Sequence, residues 1–294
     1  MPQFDPAPPL TGLTRKTRSL LRRSAEAVVG NAVTWSLLNA SLGRCWRRLT
    51  VDHERYLRSC VLDEDLAVAA LSPGLDVRNG PFRGMRYPTR RALGSMLYPK
   101  LLGSYERELE HIVERASRTD YSSVVNIGCA EGYYAVGFAL RLPKAVVFAF
   151  DTDPDARVAC GSMAALNGVS HRVRIEGFCD PAALVSLPLG RRALIVSDCE
   201  GFERQLFTAK TVGELRQHDL LIETHDFLDL EVTPALRAAI QPTHDVTVIP
   251  ALDDFSKLDL YDYPELSGFD RKQRRILVGE YRTPMNWWLA SARR

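Results

Sequence analysis

Three polar side chains lie where they could exchange a proton with a substrate. His225 follows residues 220–223, an apolar run that predicts a buried strand, and Asp198 and Glu200 follow a similar run at residues 193–196. Histidine titrates near neutral pH, so His225 is the candidate general base, with Asp198 or Glu200 as its orienting partner or as the alternative base. The other interpretation of His225 is a structural residue held by hydrogen bonds.

A turn of small residues joins a predicted strand to a predicted helix earlier in the chain. Residues 124–127 predict the strand, residues 133–140 predict the helix, and the turn reads Gly-Cys-Ala-Glu-Gly from Gly128 to Gly132. Glycine permits backbone angles and a close approach that a Cβ would block. A ligand can therefore lie against the main chain here, unless the two glycines only form a tight turn.

Two further strand ends carry candidate ligand contacts. Residues 146–150 predict a strand that ends at Asp151, about 20 residues after the first glycine of the turn, where doubly wound folds bind a ribose diol. The alternative role for Asp151 is to cap the following helix. Residues 174–179 predict a third strand whose exit at Gly177 and Phe178 could enclose an adenine ring, although Phe178 could equally belong to the core.

The same motifs argue against two other kinds of nucleotide site. A dinucleotide fingerprint needs a third glycine where this chain has Tyr133, and a bulky ring there fits a phosphate-free ligand better than a pyrophosphate. No G-x-x-x-x-G-K-[ST] motif occurs in the sequence, so P-loop nucleotide hydrolysis has no support.

The chain resembles the class I S-adenosylmethionine (SAM)-dependent methyltransferases, and within them the FkbM-like group. Four motifs carry the resemblance, which spans roughly residues 101–281. They are N-I-G-C-A-E-G-Y-Y from Asn126, F-A-F-D-T-D-P from Phe148, S-D-C-E-G-F-E from Ser197 and L-I-E-T-H-D from Leu221.

The resemblance implies an α/β fold with a Rossmann-like, seven-stranded sheet in the order 3-2-1-4-5-7-6, in which strand 7 is antiparallel. Residues 246–249 and 275–281 are then expected to be strands 6 and 7. The expected organisation is a helical N-terminal extension and connector over residues 1–100, followed by a SAM-binding methyltransferase domain over residues 101–294.

The resemblance also implies which residues hold SAM. The glycine turn would hold its methionine part, Asp151 its ribose hydroxyls and residues 177–179 the edge of its adenine, while Asp198 would lie beside the methionine amine and the substrate. Tyr105 would reach the methionine end, unless it only caps the helix that is predicted from about residue 104. The candidate cofactor-binding residues are Tyr105, Gly128, Cys129, Ala130, Gly132, Asp151, Thr152, Gly177, Phe178, Cys179 and Asp198.

The implied reaction is methylation of a hydroxyl group on a small molecule, such as a sugar or a secondary metabolite. N-methylation of a small molecule and a catalytically inactive SAM-binding partner or regulatory module are the alternatives. No N-P-P-Y or D-P-P-Y motif and no Pro-Cys pair occurs in the sequence, which argues against a nucleic-acid acceptor. A divalent metal such as Mg²⁺, held by Asp198, Glu223, His225 and Asp226 at adjacent strand ends, is an alternative that their spacing permits but does not require.

About 25 residues separate the expected strands 6 and 7. In the implied topology this segment lies on the cofactor side of the sheet, so its aromatic residues are expected to overhang the acceptor and contribute to substrate selection. The alternative is a packed surface loop. The aromatic residues are Phe255, Tyr261, Tyr263 and Phe269.

The composition favours a soluble, cytoplasmic protein. Its 294 residues are 46% hydrophobic and carry a net charge of +2, so nothing requires a polyanionic partner. Its six cysteines form no C-x-x-C pair, which favours a reducing compartment. Residues 21–46 predict a basic amphipathic helix that packs on the catalytic domain, with a lid or a membrane-surface anchor as alternatives and no stable membrane span.

Overall fold

The computed structural model describes residues 61–283 and 285–293. The predicted basic helix at residues 21–46 therefore lies outside the described residues. Residues Leu62–Arg294 form one compact unit. No helix in the described part of the chain is both long enough and apolar enough to cross a membrane.

The described residues contain seven strands and eleven α-helices. The strands are β1 (Ser123–Ile127), β2 (Val146–Phe150), β3 (Val173–Glu176), β4 (Ala193–Ser197), β5 (Asp219–Thr224), β6 (His244–Pro250) and β7 (Asn286–Ala292). The helices are α1 (Glu64–Leu71), α2 (Leu97–Leu102), α3 (Glu110–Ala116), α4 (Tyr133–Arg141), α5 (Pro154–Leu166), α6 (Pro181–Ser186), α7 (Glu203–Leu206), α8 (Ala209–Glu214), α9 (Val232–Ile240), α10 (Asp254–Leu260) and α11 (Arg271–Val278). Short 3₁₀ turns lie at Arg107–Leu109, Ser170–Arg172 and Pro264–Leu266.

The strands form one sheet in the order β3-β2-β1-β4-β5-β7-β6. Strands β1 to β5 pair in parallel, whereas β7 runs antiparallel to both β5 and β6. The predicted strand order and the antiparallel seventh strand are confirmed. Because parallel strands end at the same edge, the carboxyl ends of β1, β2, β3 and β4 meet around the point where the strand order reverses.

The central strands are buried on both faces of the sheet. Alternate residues of a strand point to opposite faces, so Val124 and Leu221 belong to one apolar cluster and Val125 and Ile222 to the other. Adjacent tryptophans of β7 divide in the same way, Trp287 into the first cluster and Trp288 into the second. This two-sided burial explains why β1, β4 and β5 read as continuous apolar runs.

The seventh strand is not where the sequence predicts it. Residues 275–281 were expected to form it, but most of them lie in helix α11, and β7 begins at Asn286. Asp270 starts α11 with a capping box, since its side chain accepts from backbone amides and Gln273 accepts from the Asp270 amide. The Ile-Leu-Val run that resembles a strand is the buried face at the end of that helix, so the prediction is wrong.

Candidate functional site

A cavity of about 300 Å³ lies at the carboxyl edge of the sheet. Residues that follow β1, β2, β3 and β4 line it, which is the position that the strand order indicates for a ligand. Most of the predicted site residues line this cavity: Tyr105, Gly128, Cys129, Ala130, Asp151, Thr152, Gly177, Phe178, Cys179, Asp198 and Glu200. Gly132 and His225 do not line it.

The backbone of the turn after β1 has a conformation that only glycine can adopt at the first position, Gly128. Gly128 has a φ of +76°, and a Cβ added there would lie 1.7 Å from the carbonyl oxygen of Asp198. Gly132 has a φ of +101°, and its Cβ would lie 2.9 Å from Cys160 Sγ. Ala130, between them, adopts a φ of +46°. Gly132 therefore shapes the turn without lining the cavity.

Asp151 is held in place by the turn after β1. Its Oδ2 accepts the Ala130 amide at 2.8 Å, and its Oδ1 accepts the Asp153 amide at 2.9 Å. The N-cap of α5 is Asp153, so the interpretation of Asp151 as that helix cap is wrong. A carboxylate has about four acceptor positions, so Asp151 keeps acceptor capacity for a ligand in the cavity.

Phe178 is an exposed ring on the cavity wall. Its fractional exposure is 58%, and it packs against Phe202 with ring centroids 5.1 Å apart. The interpretation of Phe178 as a core residue is therefore wrong. An exposed aromatic face beside Gly177 and Cys179 suits a planar ligand ring.

One wall of the cavity comes from the segment before β1 that was expected to be a connector, and its contribution to the site was not predicted from the sequence. Leu93, Gly94, Ser95 and Lys100 line it. Lys100 Nζ lies 2.5 Å from Oε1 of Glu131, the acidic residue of the glycine turn, and both side chains are almost completely buried.

Glu131 binds the connector at two further points. Its Oε2 accepts the Leu93 amide at 2.9 Å, and its Oε1 accepts the Tyr87 hydroxyl at 3.2 Å. This one carboxylate therefore fixes the connector to the turn that shapes the cavity. In the sequence, Glu131 is the only charged residue in a turn of small residues. A buried carboxylate requires partners, so this feature could have indicated the contact.

His225 is completely buried behind the cavity wall. Its Nδ1 lies 2.6 Å from Glu203 Oε1, whereas its Nε2 lies 3.4 Å from Asp198 Oδ1 and 3.6 Å from Glu200 Oε2. Burial by itself lowers the pKa of His225, but the Asp198 and Glu203 carboxylates raise it to about 10. The structure thus brings the three predicted catalytic residues together but exposes only Asp198 and Glu200 to the cavity.

The two carboxylates that line the cavity, Asp198 and Glu200, differ in their proton affinity. Burial raises the pKa of Glu200, and the neighbouring Asp198 carboxylate raises it further. Burial also raises the pKa of Asp198, but His225, Glu223 and Arg282 together outweigh burial, and the net pKa lies below the usual value. Glu200 has a φ of +51°, a conformation that non-glycine residues adopt mainly where the surrounding structure enforces it. Glu200 is therefore the better proton acceptor of the two.

Arg282 joins a group of buried acids behind Tyr105. It contacts Glu106 Oε1 at 2.5 Å and Glu223 Oε1 at 2.7 Å, and Glu106 also accepts the Tyr134 hydroxyl. Burial and the Asp198 carboxylate raise the pKa of Glu223 to about 10. This ion-pair cluster supports the wall that carries Tyr105.

One alternative and one prediction for residues near the site do not hold. Asp226 accepts from the amide and hydroxyl of Thr233 at the start of α9, so it does not join Asp198 and His225. None of the four aromatic residues of the segment between β6 and β7 lines the cavity. Tyr261 and Phe269 are buried against α1 and α2, and Phe255 is exposed beneath Arg275.

No family model and no curated protein matches the sequence. Solved structures with a similar fold include an O-methyltransferase, TomG from Streptomyces achromogenes, in complex with SAM, at 14% identity and a TM-score of 0.41 over 66% of this chain and 82% of that chain. A precorrin-6y C5,15-methyltransferase from Geobacter metallireducens has 14% identity and a TM-score of 0.42, over 63% of this chain and 89% of that chain. A precorrin-8w decarboxylase from Methanobacterium thermoautotrophicum has 16% identity and a TM-score of 0.44, with the same coverage of both chains. Similarity at this level does not define an activity, so the function of this chain is inferred from its strand order and its cavity.

Proposed function

We propose that this protein is a SAM-dependent methyltransferase that methylates a hydroxyl group of a small molecule. The observation that carries the proposal is the cavity between the Gly128 turn and Asp151. There a carboxylate with free acceptor positions lines a ligand space together with the backbone of Gly128, which lies against the end of β4 at Asp198. Its volume of about 300 Å³ lies at the lower end of the range for small-ligand sites.

The cavity residues fit the parts of SAM. Asp151 would accept the ribose hydroxyls, Phe178 and Cys179 would contact the adenine, and the turn at Gly128 together with Asp198 would hold the methionine part. When bound, SAM supplies an electrophilic methyl group. The walls formed by the connector and Tyr105 would exclude water and hold the acceptor close to that methyl group.

A hydroxyl acceptor is favoured because the cavity presents a carboxylate with a raised pKa. An alcohol must lose its proton as its oxygen forms the new bond, and a base works best when its pKa lies near the operating pH. The pKa of Glu200 is shifted in this direction by burial and by Asp198, and 75% of its side chain is exposed at the cavity rim. His225 would act through Asp198 and Glu200 rather than on the acceptor, because it does not line the cavity.

The D-C-E-G-F-E motif supports membership of the FkbM-like group and, with it, a role in secondary metabolism. Its three acids, Asp198, Glu200 and Glu203, all lie within 3.6 Å of the His225 ring. The motif therefore holds His225 and also contributes two carboxylates to the cavity. A cytoplasmic location is supported by the four described cysteines, which are free thiols.

The test is a search for methylated product. The purified protein is incubated with SAM carrying a labelled methyl group and with panels of sugars, phenols, alcohols and amines, and products are identified by mass spectrometry. We expect a labelled hydroxylated product, and we expect Glu200→Gln to lower turnover while SAM affinity is retained. Labelled amines alone would refute the choice of a hydroxyl acceptor, and SAM binding without any product would favour a non-catalytic module.

A further inference from the structure

The ring of His225 has a defined orientation that leaves one nitrogen facing a group of oxygens. Glu203 is completely buried, and its Oε1 lies 2.6 Å from Nδ1, so the Nδ1 proton is donated to this carboxylate. The Gly201 amide also donates to that oxygen and helps to fix it. Nε2 is fully buried and has no hydrogen-bond partner among the described residues.

The atoms around Nε2 are carboxylate oxygens. Asp198 Oδ1 lies 3.4 Å away and Glu200 Oε2 lies 3.6 Å away. Asp198 Oδ1 is itself buried and lacks a hydrogen-bond partner in the described part of the chain. Glu223 Oε2 lies at 3.7 Å, and its other oxygen pairs with Arg282. The carboxylates around Nε2 stabilise a positive charge there, which is either the Nε2 proton of His225 or a cation that displaces it.

The separations fit a shared ion better than a direct hydrogen bond. An N–H···O bond has a heavy-atom distance of about 2.9–3.0 Å, which is shorter than either contact of Nε2 to Asp198 or Glu200. Two ligand atoms that each lie about 2.1 Å from one ion are roughly 3.0 Å apart at a right angle and roughly 3.4 Å apart at a tetrahedral angle. The three candidate ligand atoms lie within 4.8 Å of one another, so a shift of the exposed Glu200 side chain would bring all three to about 2.1 Å from one ion.

We propose that Asp198, Glu200 and His225 bind a first-row divalent cation such as Mn²⁺ or Zn²⁺, with Glu203 as the residue that positions His225. One imidazole nitrogen and two carboxylate oxygens favour these ions over Mg²⁺ and Ca²⁺, which prefer oxygen ligands alone. A carboxylate on the distal ring nitrogen is the usual support of a metal-binding histidine, because it fixes the tautomer that can coordinate.

The proposed ion would face the cavity, since Asp198 and Glu200 both line it. Its remaining coordination positions would be open to a ligand there. This step rests on the proposed function: the ion would bind the acceptor hydroxyl and lower its pKa, and Glu200 would accept the proton through the carboxylate oxygen that does not bind the ion. The cation site itself does not depend on that reaction.

The experiment is a metal titration of the full chain without SAM. After treatment with EDTA and removal of the chelator, Mn²⁺ binding is followed by electron paramagnetic resonance and Zn²⁺ binding by calorimetry. We expect one ion per chain and an electron spin-echo modulation from an imidazole nitrogen. His225→Gln should abolish that modulation, and Glu203→Gln should weaken binding by about 10–100-fold although Glu203 does not touch the ion.

Two controls keep the result interpretable. His171→Gln removes an exposed histidine outside the site and should leave binding unchanged. Asp198→Asn and Glu200→Gln change half-buried and exposed side chains, so they test the site even if His225→Gln does not fold. The proposal would be overturned if the wild type bound no metal ion, or if all four site variants bound the ion with the affinity of the wild type.

A separate SAM titration distinguishes the two proposals. Metal binding without SAM binding would leave the cation site standing and remove the methyltransferase. SAM binding without metal binding would remove the cation site and leave the proposed function standing. It would also indicate that Nε2 of His225 carries a proton.

Discussion

At the scale of single residues, the site depends on backbone positions more than on reactive side chains. Gly128 lies so close to the Asp198 carbonyl that the ends of β1 and β4 could not keep their present separation with any side chain there. Gly177 lines the same cavity, but a Cβ at that position would have no heavy atom within 4 Å. The two glycines therefore have different structural roles although both border the ligand space.

Replacement of Gly128 by alanine tests this difference. A positive φ and a clash with backbone together should cost about 3 kcal/mol in the free energy of unfolding. A cost of that size lowers Tm by roughly 6–12 °C in a unit of this length. Scanning calorimetry measures the change, and Gly177→Ala is the control, with a Tm close to that of the wild type. Equal Tm values for the two variants would contradict the steric argument.

At the scale of elements, the connector and the glycine turn are joined by a buried ion pair. Lys100 and Glu131 are exposed by 3% and 4%, and Glu131 also binds the Leu93 amide. Removal of one partner leaves an uncompensated charge in the interior, which is far more costly than loss of an exposed pair. The cavity wall at residues 93–95 should therefore depend on Lys100.

Lys100→Met should lower the free energy of unfolding by about 3–5 kcal/mol, as measured by denaturant titration. The double variant Lys100→Met with Glu131→Gln should recover most of the loss, because glutamine keeps acceptor and donor groups without a charge. Arg191→Met is the matched control, since Arg191 and Asp120 form a pair that is about 80% exposed, and its effect should stay below about 1 kcal/mol. A small effect of Lys100→Met would show that Glu131 is not held by this lysine.

A second contact between elements lies near the amino ends of β4 and β5, and it should make the stability of the fold depend on pH. His218 Nδ1 accepts the Ala193 amide at 3.0 Å, which requires the neutral ring. Burial lowers the pKa of His218, and His244 lowers it further, while Asp219 opposes them. The unfolded chain therefore binds a proton more readily than the folded chain, so stability falls as the pH drops below the unfolded value near 6.5.

Tm measured from about pH 8 to about pH 5 should decline less steeply in His218→Asn than in the wild type. Asparagine can still accept the Ala193 amide but does not titrate in this range. His171→Gln, at an exposed position, should follow the wild-type profile. Parallel profiles for His218→Asn and the wild type would exclude His218 as a source of acid sensitivity.

At the scale of the whole molecule, the sequence predicted the sheet better than the site. Buried parallel strands appear as apolar runs, so β1 to β5 could be predicted, and β2 matches its predicted bounds. The strand order was predicted from the family resemblance and not from these runs. The seventh strand was misplaced because the Ile-Leu-Val run of α11 has strand-like residues, and tertiary packing overrides such preferences.

The residues missed at the site are those brought together by long-range contacts. Arg282 pairs with Glu106, 176 positions earlier, and Lys100 pairs with Glu131 across the connector. The lone acid in the glycine turn signals that Glu131 needs a partner, but no local pattern identifies the partner in either pair. The burial of His225 behind Asp198 and Glu200 could not be predicted either, because position after a strand does not specify which side chain reaches the cavity.

The central claim is that the cavity binds SAM through Asp151, and calorimetric titration with SAM tests it most directly. The wild type should bind one SAM per chain, and Asp151→Ala should weaken binding by at least tenfold, because each charge-assisted hydrogen bond contributes about 1.5–3 kcal/mol. Asp155→Ala, in the exposed first turn of α5, should bind SAM like the wild type. No binding of SAM, or unchanged affinity in Asp151→Ala, would contradict the account.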